Sequence, residues 1–211
     1  MDRTKPAVIT RRTAVRVIAG AGAAGAAAGV GGYLLSRDPD PLPARPELRG
    51  LAALTPAEGA LVEAIGARIW PGDPADPGAR EAGSVHYVDR ALAGPYARYL
   101  STYRIALGQI DAAARKLHRK PFVELEESTQ DSLLDALSRG RLAGVRHGES
   151  FFLTIRVHVL EGVFSDPVHG GNRNLVGWKA VGYPGPFYGI TEQEQRRFAE
   201  HQMPYRRLAD L

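Results

Sequence analysis

Four residues in one short stretch carry side chains able to hold a metal or move a proton: His158, Glu161, Asp166 and His169. The first two are three apart, which on a helix sets them on the same side. Asp166 and His169 follow within reach on a loop. Two imidazoles and two carboxylates suit zinc, iron or manganese, so the quartet could serve a stand-alone metal-dependent enzyme. Helical bundles that bind paired iron draw further carboxylates and a Glu-x-x-His motif from partner helices; no second motif of that kind occurs here. The competing reading is a histidine satisfied beside an apolar core face.

Other chemistries find less support. The serines of Glu149-Ser150-Phe151 and Phe164-Ser165-Asp166 are not in a glycine-flanked elbow between strand and helix, as a nucleophilic hydrolase requires. Gly170-Gly171-Asn172 and the glycines from Gly182 to Gly189 follow no strand and have the wrong spacing for a dinucleotide fingerprint. The chain is expected to carry no flavin or nicotinamide of its own. With no cysteine, disulfides, thiolate zinc sites and thiol nucleophiles are excluded.

The elements that position these residues read as helices. Thr55-Pro56-Ala57-Glu58 is a capping box with proline at the first helical position, and Leu61, Ile65 and Ile69 recur behind it, predicting a helix over 56–69. A short helix follows from Ser84. A longer one is expected from Pro95 to about Arg119, with Tyr96, Leu100, Tyr103, Leu107, Ile110, Ala114 and Leu117 along one face. Ser128 to Arg139 is the next, with Leu133, Leu134 and Leu137 inward and Gly140 as its stop. Glu149 to Val163 turns Phe152, Ile155, Val159 and Leu160 to the core, and Thr191 to Glu194 caps a last short helix. No segment alternates with period two, so the fold class is all-α: about six helices and an irregular glycine- and aromatic-rich segment over 164–190.

The N-terminus is different. Residues 1–28 carry Arg3, Lys5, Arg11, Arg12 and Arg16 against Asp2, which accounts for the whole net charge of +4; the other 22 basic and 22 acidic residues cancel. No basic field is left on the rest of the chain to steer a nucleic acid. Behind the arginines, Val17 to Leu35 is uncharged and dominated by glycine and alanine, which resembles a twin-arginine signal for exporting folded proteins. Ala14 stands where such signals more usually carry Phe or Leu. The run is long enough to cross a bilayer, so residues 1–35 are expected to be either removed or kept as an N-terminal anchor. Residues 36–54 form a proline-rich tether, and 55–211 the helical domain.

The glycine-rich segment specifies shape. Gly170 and Gly171 allow positive φ, Asp166-Pro167 favours a turn, and Asn172 and Asn174 can cap backbone groups. Trp178, Tyr183, Phe187 and Tyr188 are then either displayed for a protein contact or folded back on the domain.

The ordered series Glu161-Gly162, Phe164-Ser165-Asp166-Pro167, Gly170-Gly171-Asn172, Gly177-Trp178 and Gly182-Tyr183-Pro184-Gly185 resembles the signature of the gluconate 2-dehydrogenase subunit 3 family. The similarity reaches back more loosely to the Leu54-Thr55 helix start and the Ile69-Trp70-Pro71 turn. His169 stands where the family often has tyrosine. The resemblance implies a small, exported, non-catalytic partner of a large FAD-dependent dehydrogenase of the glucose-methanol-choline type, acting on a sugar, sugar acid or polyol. It also implies that a cytochrome c subunit carries electrons onward, and that the large subunit crosses through the twin-arginine translocase on the signal of the small one. The expected location is periplasmic or on the outer face of the cytoplasmic membrane. Arg11 and Arg12 are then the export signal, and the motif residues are candidates for docking the partner.

Overall fold

The computed structural model describes residues 48, 50–73, 75–186, 191–200 and 202–210, all within one compact unit, Leu42–Leu211. The expected export signal, with Arg11 and Arg12, and the rings of Phe187 and Tyr188 lie outside the described residues.

Among the described residues the fold is all-α, with seven α-helices and no strand: α1 Pro56–Ile69, α2 Ser84–Ala93, α3 Leu100–His118, α4 Glu127–Ser138, α5 Gly148–Phe164, α6 Val176–Val181 and α7 Glu192–Ala199. Helix α1 starts as its capping box dictates: the Thr55 side chain accepts from the Glu58 amide while the Glu58 carboxylate accepts from the Thr55 amide. The same box, Thr191 with Glu194, starts α7.

Helix α5 is the centre of the domain. It packs against α2 and α4, with α1, α3 and α6 also touching it. Its inward line is Phe151, Ile155, Val159 and Val163, spaced four apart and buried. That line meets Ile65 of α1, Val88 of α2, Leu107 of α3 and Leu137 of α4 in one continuous core. The inward phenylalanine is therefore Phe151; Phe152 and Leu160, expected inside, are half-buried.

Four expectations change in detail. The helix foreseen from Pro95 begins at Leu100, after a 3₁₀ turn over Ala97–Tyr99, and Leu117 at its far end is 55% exposed. The apolar face of α3 thus stops one turn before the helix does. Residues 51–54, assigned above to the tether, belong to the domain: the Asp89 carboxylate accepts from the amides of Ala52, Ala53 and Leu54 at 2.7–2.9 Å, and Leu54 is buried. Finally, the segment expected to be irregular holds a helix, α6, entered through two 3₁₀ turns, Pro167–His169 and Arg173–Leu175. Asn172 sets this up, because its Oδ1 accepts from the Gly177 amide in the first turn of α6.

Candidate functional site

The quartet that opened the sequence argument is not brought together. His158 is buried in the middle of α5, its Nδ1 2.9 Å from the Tyr103 hydroxyl and its ring stacked on Tyr96 at 4.4 Å. Glu161 takes a hydrogen bond from Tyr87 on one carboxylate oxygen and from Tyr96 on the other, each 3.1 Å. Asp166 accepts from the Val168 amide, closing the turn, and from the Leu208 amide near the C-terminus. His169 is exposed. Among the described residues no group of three His, Asp or Glu side chains is placed to hold a metal ion. His158, Glu161 and Asp166 are each held by partners of their own, and α5 ends at Phe164, so Asp166 and His169 follow on a separate turn.

The electrostatics of that face follow from burial. Burial pushes the His158 imidazole below its ordinary value; Glu161 pulls the other way and Arg98 adds to the depression. Tyr87, Tyr96 and Tyr103 are raised, first by burial and then by the negative charge of Glu161. Neutral phenols surrounding a carboxylate act as donors to it, an arrangement that holds three elements together: α2 through Tyr87, the 95–99 turn through Tyr96, and α5 itself.

The glycine-rich motif is built on backbone contacts. Asn172 is fully buried with a left-handed backbone (φ 46°), and every polar group of its side chain is engaged: Nδ2 donates to the Ser165 carbonyl and Oδ1 accepts from Gly177. Its own amide donates to the Gly162 carbonyl. Gly171 and Gly177 are glycine because of close approach: a Cβ on Gly171 would sit 2.0 Å from the Gly162 carbonyl oxygen, and one on Gly177 would sit 1.9 Å from that of Val163. Trp178 is only 3% exposed, and its indole N–H donates to the Phe164 carbonyl at 2.7 Å. The ring expected on display is therefore folded into the domain, as the alternative reading had it, while Tyr183 packs its edge against Trp178 and stays 40% exposed. Pro184 is buried, and its carbonyl accepts from Arg206.

Beside the motif lies an open groove of about 760 Å³ between α2, the end of α5 and the 165–186 segment. Tyr87, Phe164, Val168, Trp178, Tyr183 and Leu208 give it apolar walls, and Arg90, Ser165 and His169 also border it. Arg90, Asp89 and Tyr87 were not foreseen from the sequence, and Tyr96 was expected only as part of an apolar helix face, not as a partner of Glu161. Asp89 was detectable in principle, as a carboxylate in register beside the inward Val85, Val88 and Leu92. Nothing in the spacing of Tyr87 and Tyr96 announces a shared partner 65 to 74 residues away.

This is the geometry of a helical domain whose signature residues are spent on its own backbone. A family model described as gluconate 2-dehydrogenase subunit 3 matches residues 56–185, from the start of α1 to Gly185. The match spans more than half of the chain, so the protein belongs to the gluconate 2-dehydrogenase subunit 3 family. Neither among curated proteins nor among solved structures does the chain have a match. No helix among the described residues is long and apolar enough to cross a membrane; Val17 to Leu35 lies outside them.

Proposed function

We propose that this chain is the small accessory subunit of a flavin-dependent dehydrogenase complex, which binds, stabilises and escorts a large FAD-carrying subunit of the glucose-methanol-choline type. Membership of the subunit 3 family carries this reading. The site geometry is consistent with it: Glu161, Asp166, Asn172 and Trp178 hold the fold together and are thereby withdrawn from chemistry of their own. The large subunit then supplies the FAD and oxidises a sugar, sugar acid or polyol, and a cytochrome c subunit takes the electrons.

The leader supports the same reading. An Arg11-Arg12 signal on a chain expected to lack a cofactor makes physical sense when the passenger has to fold around its flavin before export. The complex then resides in the periplasm or on the outer face of the cytoplasmic membrane. Co-expression with the large subunit tests both halves. The two chains are expected to co-purify, and replacing Arg11 and Arg12 together by lysine is expected to leave both in the cytoplasm. Independent purification of the two chains would refute the escort role, whereas export of the double-lysine variant would refute the signal alone.

A further inference from the structure

The groove beside the motif is apolar, open and short of partners for its few polar groups. Val168 is 57% exposed and Leu208 46% exposed on its rim. The Ser165 hydroxyl is buried and has no hydrogen-bond partner among the described residues. Arg90 is exposed at the mouth, and its hydrogen bond to the Val168 carbonyl is a long one, 3.4 Å. No carboxylate among the described residues forms an ion pair with it. The nearby acid, Asp166, already accepts from two backbone amides. The exposed Arg90 guanidinium thus suits an anionic acceptor arriving from outside, while the Ser165 hydroxyl is buried beneath the groove wall.

The groove does not end at Phe164. Leu153, Val157, Leu160 and Phe164 recur at intervals of four, three and four along α5, which sets them on one side of that helix. Leu153 and Val157 are each 51% exposed. Helix α5 is thus apolar on its inner line and again on this outer one, the pattern of a helix covered on both sides. An apolar surface continuous from a helix face into a groove with a cationic mouth is larger than a small molecule needs, and it matches the apolar centre and polar rim of a protein interface.

We propose that the groove and the outer line of α5 form the surface that receives the large dehydrogenase subunit. The segment it accepts presents apolar side chains to Phe164, Val168 and Tyr183 and a carboxylate to Arg90. This inference rests on the accessory-subunit reading and adds to it the face that binds.

The test uses the full chain and the FAD-loaded large subunit, with affinity measured for single substitutions. Val168→Asp and Val157→Asp are expected to weaken binding by about 30-fold or more, as burying an unpaired charge in the centre of an interface does. Arg90→Glu is expected to weaken it about tenfold, with a loss of salt dependence. Leu117→Asp, at the far end of α3, is expected to bind like wild type. All four positions are exposed, and thermal midpoints within about 2 °C of wild type confirm that the variants fold. Wild-type binding that Val168→Asp and Val157→Asp leave within twofold overturns the proposed surface while the escort role stands. Absence of wild-type binding overturns both. If Val168→Asp instead dissociates a homodimer and leaves binding of the large subunit intact, the groove belongs to a second copy of the chain and the proposal is wrong.

Discussion

Two regions meet at the C-terminal end of α5, and they solve the burial of polar groups in opposite ways. In the middle of the helix, His158 and Glu161 are satisfied by other side chains, the hydroxyls of Tyr87, Tyr96 and Tyr103. One turn later, from Gly162 onward, the side chains of Asn172, Asp166 and Trp178 satisfy backbone groups instead. A side-chain network has rotamers with which to adjust after a substitution. A network in which side chains clasp backbone, with carbonyls packed directly on glycine Cα atoms, has none. The motif should therefore tolerate change less well than the tyrosine network does, of which Tyr87 and Tyr96 are only half-buried.

The glycines give the largest expected effect. Gly177→Ala drives a Cβ to within 1.9 Å of the Val163 carbonyl oxygen, a backbone atom in the last turn of α5. Relief requires α6 to move as a body, so a loss of about 3 kcal/mol or more is expected in denaturant unfolding, at the upper end of overpacking costs. A loss below about 1 kcal/mol would show that the motif can adjust after all, and the contrast between the two regions would disappear. Next comes Asn172→Ala, which strands the Gly177 amide and the Ser165 carbonyl and leaves alanine with positive φ. About 2–3 kcal/mol is expected.

How much of this was legible beforehand divides along the same line. Capping boxes and four-residue spacing located α1, α5 and the start of α7, because they report local hydrogen bonding and one buried face. The length of α3 was overestimated at its start, where Ala97–Tyr99 forms a 3₁₀ turn instead, and its buried face was overestimated at its end, where Leu117 keeps the apolar period but is exposed. The motif was visible as an ordered series of residues, yet its meaning was not: glycine and asparagine suggest a loop, and only the approach of 171 and 177 to the carbonyls of α5 shows that they make a tightly packed corner containing a helix. Trp178 was open between display and burial because burial depends on the Phe164 carbonyl lying at 2.7 Å, a tertiary fact. The metal quartet failed for a related reason. His158 and Glu161 were correctly read as sharing a helix, but the direction of the chain after Ser165 is set by Asn172, outside the quartet.

The smallest expected effect separates the regions by pH. Burial lowers the proton affinity of His158 in the folded chain, and that of His86 in the same direction, there with help from Arg173. In the unfolded chain both titrate near 6.5. Above that value both states are neutral at these positions, and their contribution to stability is complete. As the pH falls through about 6.5 toward the lower folded-state values, the unfolded chain takes up protons that the folded chain refuses, so stability declines. Glu194 and Asp210, whose carboxyls are held down by Thr191 and Arg207 respectively, act only in a more acidic window, below the ordinary carboxylate range. His158→Gln removes one titrating group while leaving an amide to meet the Tyr103 hydroxyl. Its thermal midpoint is expected to be a few degrees lower at pH 7.5 and to fall less steeply than that of wild type between pH 7 and 5. A variant combining Asn172→Ala with wild-type His158 should keep the full slope, because the amide around which the motif closes has no proton to gain. Equal slopes in wild type and His158→Gln would place the acid sensitivity outside the tyrosine network, and the two regions would then differ in packing alone.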